Sequence, residues 1–92
     1  MRQGKENIMK ELNTVVLDGT IIEIESSLDK DVKIILNSNG GNLRADAPGE
    51  LGAYVWQHGK IGQKVRIVGH LNTDEDGMFI SIEHVEFKPI GA

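Results

Sequence analysis

The chain has 92 residues, ten Lys and Arg against fourteen Asp and Glu, a formal net charge of −4, eleven glycines and no cysteine. That length makes one domain, and without cysteine neither a disulfide framework nor a thiolate zinc site is available. No apolar run approaches ~18 residues, so no membrane-spanning helix is expected, and the acidic balance means that any nucleic-acid role has to come from how charge is distributed.

Many glycines and short alternating segments predict an all-β chain with tight turns. Residues 1–10 show no steady period and read as a flexible N-terminal arm, with a folded domain over 11–90. The opening MRQGKENIMKELN is charged and lacks the apolar segment of a secretory signal. With the absence of cysteine, this leads us to expect a cytoplasmic protein.

Asn13 begins a long strand, NTVVLDGTIIEIE. Val15, Leu17, Gly19 and Ile21 share one face, and Val16, Asp18, Thr20 and Ile22 the other. Gly19 in mid-strand marks a bend. SSLDKD has the composition of a turn. A second strand is predicted over Val32–Asn37, with Val32, Ile34 and Leu36 inward and Lys33, Ile35 and Asn37 outward. Asn39-Gly40 is a strong hairpin signal. It leads to a third strand over Asn42–Ala47, with Leu43, Ala45 and Ala47 inward and Asn42, Arg44 and Asp46 outward. Small inward residues imply a tight interior or a helix crossing close by.

Pro48 ends that strand. Glu50–His58 reads as a short helix, because Leu51, Tyr54, Val55 and His58 recur at helical spacing. Gly59 is placed to cap it. The next strand, Gly62–Leu71, has Val65, Ile67, Gly69 and Leu71 on one face and Lys64, Arg66, Val68 and His70 on the other. Gly69 is where the strand bends or a neighbour comes close. Asp76-Gly77 marks a turn into a last strand, Met78–Phe87. There Ile80 and Ile82 share a face, as do Val85 and Phe87. The slip in phase between these pairs predicts a bulge near Glu83-His84. Five strands with a short helix between the third and fourth give the layout of an OB-fold, a small Greek-key barrel.

Residues 13–88 resemble the bacterial single-stranded-DNA-binding protein family and its compact OB-fold relatives in replication. Asn13, Val15, Leu17, Gly19, Thr20 and Ile21 stand where that family's first strand has its pattern of Asn, aliphatics and Gly. Gly62, Val65, Ile67, Gly69, His70 and Leu71 match its fourth strand, with His70 where Arg is usual. Glu83-His84-Val85-Glu86-Phe87 resembles its closing segment. The family's tryptophan-containing third strand has no counterpart in Asn42–Ala47.

Four outward cations, Lys33, Arg44, Lys64 and Arg66, are the candidate phosphate contacts, since a groove for single strands pairs cations with aromatic stacking platforms. Trp56 and Phe79 are the candidate platforms, while Tyr54 is expected to plug the end of the barrel. Outward Val16, Ile22, Ile35 and Val68 suggest self-association through a sheet face.

Asn72, Asp74, Asp76, Gly77 and Glu83 occupy positions of an EF-hand calcium loop. Both flanks alternate with period two, however, so a hairpin is the expectation and no metal is assigned. His58, His70 and His84 lie apart. No nucleophile triad stands out, and GKIGQK lacks the spacing of a phosphate-binding loop.

The resemblance and these residues together imply a non-enzymatic OB-fold protein without cofactor. It would bind single-stranded DNA, or RNA, in replication, recombination or repair, as a homodimer or homotetramer. The alternative is an OB-fold protein-interaction module that binds no nucleic acid.

Overall fold

The structure, a computed structural model, describes residues 13–26 and 31–89. The arm expected over residues 1–10 lies outside these. The elements are β1 (Val15–Ser26), β2 (Val32–Ser38), β3 (Gly41–Ala47), α1 (Gly49–His58), β4 (Lys64–Asp74) and β5 (Gly77–Phe87). The strands close into a barrel in the order β1-β2-β3-β5-β4. Neighbours are antiparallel except β3 and β5, which run parallel through Ala45↔Ile80 and Asp46↔Ser81. This is the OB-fold, and closure satisfies the strand edges that an open sheet would expose.

Closure requires β1 to serve two neighbours. Val15–Thr20 pairs with β4, and Thr20–Ser26 pairs with β2. Gly19 stands at the hand-over. A Cβ there would lie 3.1 Å from the Asn37 carbonyl oxygen and 3.2 Å from Leu36 Cβ. The irregularity itself falls slightly later: Ile21 pairs with Leu36 and Glu23 with Ile35, which leaves Ile22 as the extra residue. The bulge resets the alternation. Ile21 is buried, Ile22 is exposed, and Ile24 packs on the core. At the same place the Ile21 N–H donates to the Gln63 carbonyl at 2.9 Å, and the Gly62 N–H donates to the Ile21 carbonyl at 2.7 Å.

The β2–β3 hairpin turns at Asn39 and Gly40, both at positive φ (54° and 85°), as a tight two-residue turn demands. Val32, Ile34 and Leu36 point inward as their alternation requires, and Ala45 and Ala47 are fully enclosed. Leu43 is a correction. It was expected inside with the alanines, but it is 41 % exposed, because β3 pairs with β5 only at Ala45 and Asp46 and Leu43 lies beyond that pairing.

α1 packs against β2, β3 and β5, and Val55 and Gly52 form its buried face. The two small alanines of β3 leave room for that approach. Val55 therefore fills the position expected of Tyr54. Tyr54 is 46 % exposed, and its ring tilts against Phe87 (centroids 5.6 Å apart) and His58 (4.7 Å). Gly59 closes the helix, but not through left-handed backbone: its φ is −79°. Its N–H donates to the Val55 carbonyl, and a Cβ would sit 2.8 Å from that same oxygen. The glycine is there for space.

The β4–β5 hairpin is longer than its sequence pattern implies and turns through Glu75-Asp76, one residue earlier than expected, with Asp74 paired to Gly77. The bulge expected near Glu83-His84 is present. Val68 pairs with His84 and Gly69 with Ile82, so Glu83 is unpaired and reaches His70 Nδ1 at 2.9 Å. Among the described residues, no helix is long and apolar enough to cross a membrane.

Candidate nucleic-acid interface

Period-two alternation sends Lys33, Ile35 and Asn37 of β2 to the outer surface, opposite Asp46, Arg44 and Asn42 of β3. The parallel pairing of β3 with β5 brings Phe79 onto the same surface. The Arg44 Cζ stands 4.3 Å from the centroid of the Phe79 ring, a cation–π contact. Lys33, Arg44 and Phe79 thus share one surface, and it is the β3–β5 pairing that adds Phe79 to it.

The electrostatics differ from expectation. Arg44 is on the outward face as expected of a candidate phosphate contact, but its side chain is only 17 % exposed. Its Nε and Nη2 donate to the Asp46 carboxylate at 3.0 and 2.8 Å, and its Nη1 and Nη2 donate to Asp74 at 3.2 and 2.8 Å. These bonds to Asp46 and Asp74 raise the Arg44 pKa still further. The bond from Arg44 in turn holds the Asp74 carboxyl below its ordinary range, despite some desolvation.

Lys64 and Arg66 project from β4 on another side of the barrel. They line an open groove of about 650 Å³ between β1, β4 and residues 37–39, which Lys88 also borders. Arg66 donates to both carboxylate oxygens of Asp18, at 2.7 and 3.0 Å, and Lys88 Nζ reaches the same carboxylate at 3.3 Å. The Arg66 hydrogen bond leads in lowering the Asp18 pKa from 3.8 to about 2. Among the described residues, Lys33 and Lys64 form no ion pair.

Trp56 sits on α1, 55 % exposed, and lines neither the β1–β4 groove nor the space beside Arg44 and Phe79. The six candidates therefore divide among a β2–β3–β5 surface, a β1–β4 groove and the helix.

Three features went unread in the sequence. Asp18 and Lys88 complete the groove. Asp18 was visible as an outward residue, but its partner depends on the β1–β4 register, which sets Asp18 against Arg66. The third is an apolar cleft of about 290 Å³ beside Phe79 and Arg44, with Leu43, Leu71 and Met78 exposed along it. At its rim Asn13 exchanges two hydrogen bonds with the Leu71 backbone, at 2.9 and 2.8 Å.

Residues 72–83 lie within the β4–β5 hairpin. The Asp74 carboxylate faces Arg44 and that of Glu83 faces His70, so these oxygens do not converge.

No protein-family model and no curated protein matches this sequence. Solved structures do resemble the fold. The second single-stranded-DNA-binding protein (SSBb) of Mycobacterium smegmatis superposes with a TM-score of 0.72 at 23 % identity, over 84 % of this chain and 87 % of that one. A small single-stranded-DNA-binding protein from Mycoplasma pneumoniae gives 0.71 at 22 %, over 83 % and 86 %. PriB from Ralstonia solanacearum gives 0.71 at 17 %, over 84 % and 98 %. At these identities the likeness is one of fold.

Proposed function

We propose that this chain binds single-stranded DNA, largely without regard to sequence and without an enzymatic step. The observation that carries the reading is the outward β2–β3–β5 surface, where Arg44 stacks on Phe79 and Lys33 stands on the same face. OB barrels bind oligonucleotides on this surface. The fold's likeness to two proteins described as binding single-stranded DNA supports it. Lys33, Lys64 and Arg66 supply charge for the phosphates, and Trp56 and Phe79 supply rings for bases. RNA is the alternative strand. Exposed Val16 and Ile22 support self-association, as a dimer or tetramer. The reading implies a cytoplasmic role in replication, recombination or repair.

A protein-interaction module without nucleic acid is the second reading. It is favoured by the pairing of Arg44 and Arg66 with aspartates and by exposed Tyr54, Trp56 and Ile61 along α1 and the turn after it.

Fluorescence anisotropy of a labelled oligo-dT, titrated with protein at low and moderate salt, separates the two. Saturable binding that weakens with salt is expected. Absence of binding even at low salt would replace the first reading with the second.

A further inference from the structure

Arg44 is the centre of an arrangement that a phosphate contact does not require. A guanidinium recognises phosphate through its N–H edge. Four of the five N–H donors of Arg44 already serve Asp46 and Asp74. The same bonds fix the guanidinium plane from two directions, and the Phe79 ring backs it at 4.3 Å. Two carboxylates beside the cation also repel an approaching phosphate. What the clamp leaves for a ligand is chiefly the planar surface of the group.

The neighbouring cleft points the same way. Arg44 and Phe79 border a space of about 290 Å³ otherwise lined by Val15, Leu17, Leu43, Leu71, Met78 and Ile80. That lining has no side-chain donor for a phosphate, and burying charge there would be costly. A nucleobase suits it, since its flat surface stacks on a guanidinium plane and its edges tolerate apolar walls.

Building on the proposed single-strand binding, we infer that Arg44 is a base-stacking platform, held flat by Asp46 and Asp74 and backed by Phe79, and that an unpaired base enters the adjoining cleft. Arg44 then contributes to affinity through its plane, while Lys33, Lys64 and Arg66 carry the phosphate charge.

The test compares a labelled oligo-dT with an abasic sugar-phosphate strand of equal length, against the parent protein, Arg44→Lys, Arg44→Ala and Phe79→Leu, over a salt series. Arg44→Lys keeps the charge but loses the plane, so it is expected to weaken oligo-dT binding about tenfold, as much as Arg44→Ala does. The salt slope should stay that of the parent, and the abasic strand should bind all four proteins alike. Phe79→Leu leaves the ion pairs in place and guards against misfolding of the arginine variants; it should lose a similar base-dependent share. Retained affinity in Arg44→Lys, or a slope reduced by about 0.7 in Arg44→Ala, would make Arg44 a phosphate contact and overturn the inference. Unchanged binding by Phe79→Leu would also overturn it. A parent protein that fails to bind oligo-dT at low salt would overturn the single-strand reading itself, and the platform with it.

Discussion

Gly69 and Ser81 approach so closely across the β4–β5 pair that a Cβ on Gly69 would overlap the Ser81 carbonyl. The contact lies next to the Glu83 bulge, where β5 bends so that the barrel can close. Backbone cannot yield as a flexible side chain can. Gly69→Ala is therefore expected to cost about 1–3 kcal/mol, the range for forcing extra atoms into a packed site. Urea unfolding measures it. Gly19→Ala meets its nearest atoms at 3.1 and 3.2 Å and should cost less. Equal stability of parent and Gly69→Ala would mean that the strands are further apart than described.

The two strands of the β2–β3 hairpin should respond very differently to truncation at one cross-strand pair. Leu36 is fully buried, whereas Leu43, its cross-strand partner, is 41 % exposed. Leu36→Ala is expected to cost about 2–5 kcal/mol, the transfer and cavity cost of a buried leucine. Leu43→Ala should cost less than about 1 kcal/mol, as at a surface site. Thermal or denaturant unfolding of the pair checks this. Similar losses would place Leu43 in the core.

The contrast shows what the chain discloses before it is folded. Local periodicity reports which residues share a face, so Val32, Ile34 and Leu36 were legible, as was the Glu83 bulge from the slip between Ile82 and Val85. Turn chemistry disclosed Asn39-Gly40. Periodicity does not report where a strand loses its neighbour, and Leu43, beyond the short β3–β5 pairing, was misplaced for that reason. Nor does it report which charges meet. Arg44 finds Asp74 across 30 residues and Arg66 finds Asp18 across 48, and only the closed register decides both. The candidate surface was therefore readable as positions, while its electrostatics were not.

Asp18 should impose an acid dependence on stability. Its folded pKa, about 2, lies below its ordinary value of 3.8, chiefly through the Arg66 hydrogen bond. A depressed carboxylate contributes stability that is fully present above the unfolded pKa. The contribution is lost as pH falls through the window from about 4 to about 2. Asp74, lowered by Arg44, acts in the same sense. Both groups are exposed to solvent, which screens the effect. Denaturant midpoints followed from pH 5 to pH 2 should therefore fall more steeply for the parent than for Asp18→Asn. Parallel curves would mean that the Asp18–Arg66 pair does not form in solution.

The same aspartate should restrain strand binding. It holds Arg66 and Lys88 together in the β1–β4 groove. If phosphates follow that groove, they compete with the Asp18 carboxylate for both cations. Asp18→Asn should then tighten binding to oligo-dT and steepen its salt dependence, because two cations are released toward the strand. Arg66→Glu should do the reverse. Both variants should stay folded at neutral pH with only a small loss in thermal midpoint, since exposed ion pairs add little to stability. Anisotropy titrations over a salt series read both effects. If Asp18→Asn and Arg66→Glu both bind as the parent does, the phosphate path avoids the β1–β4 groove, and the β2–β3–β5 surface carries the strand alone.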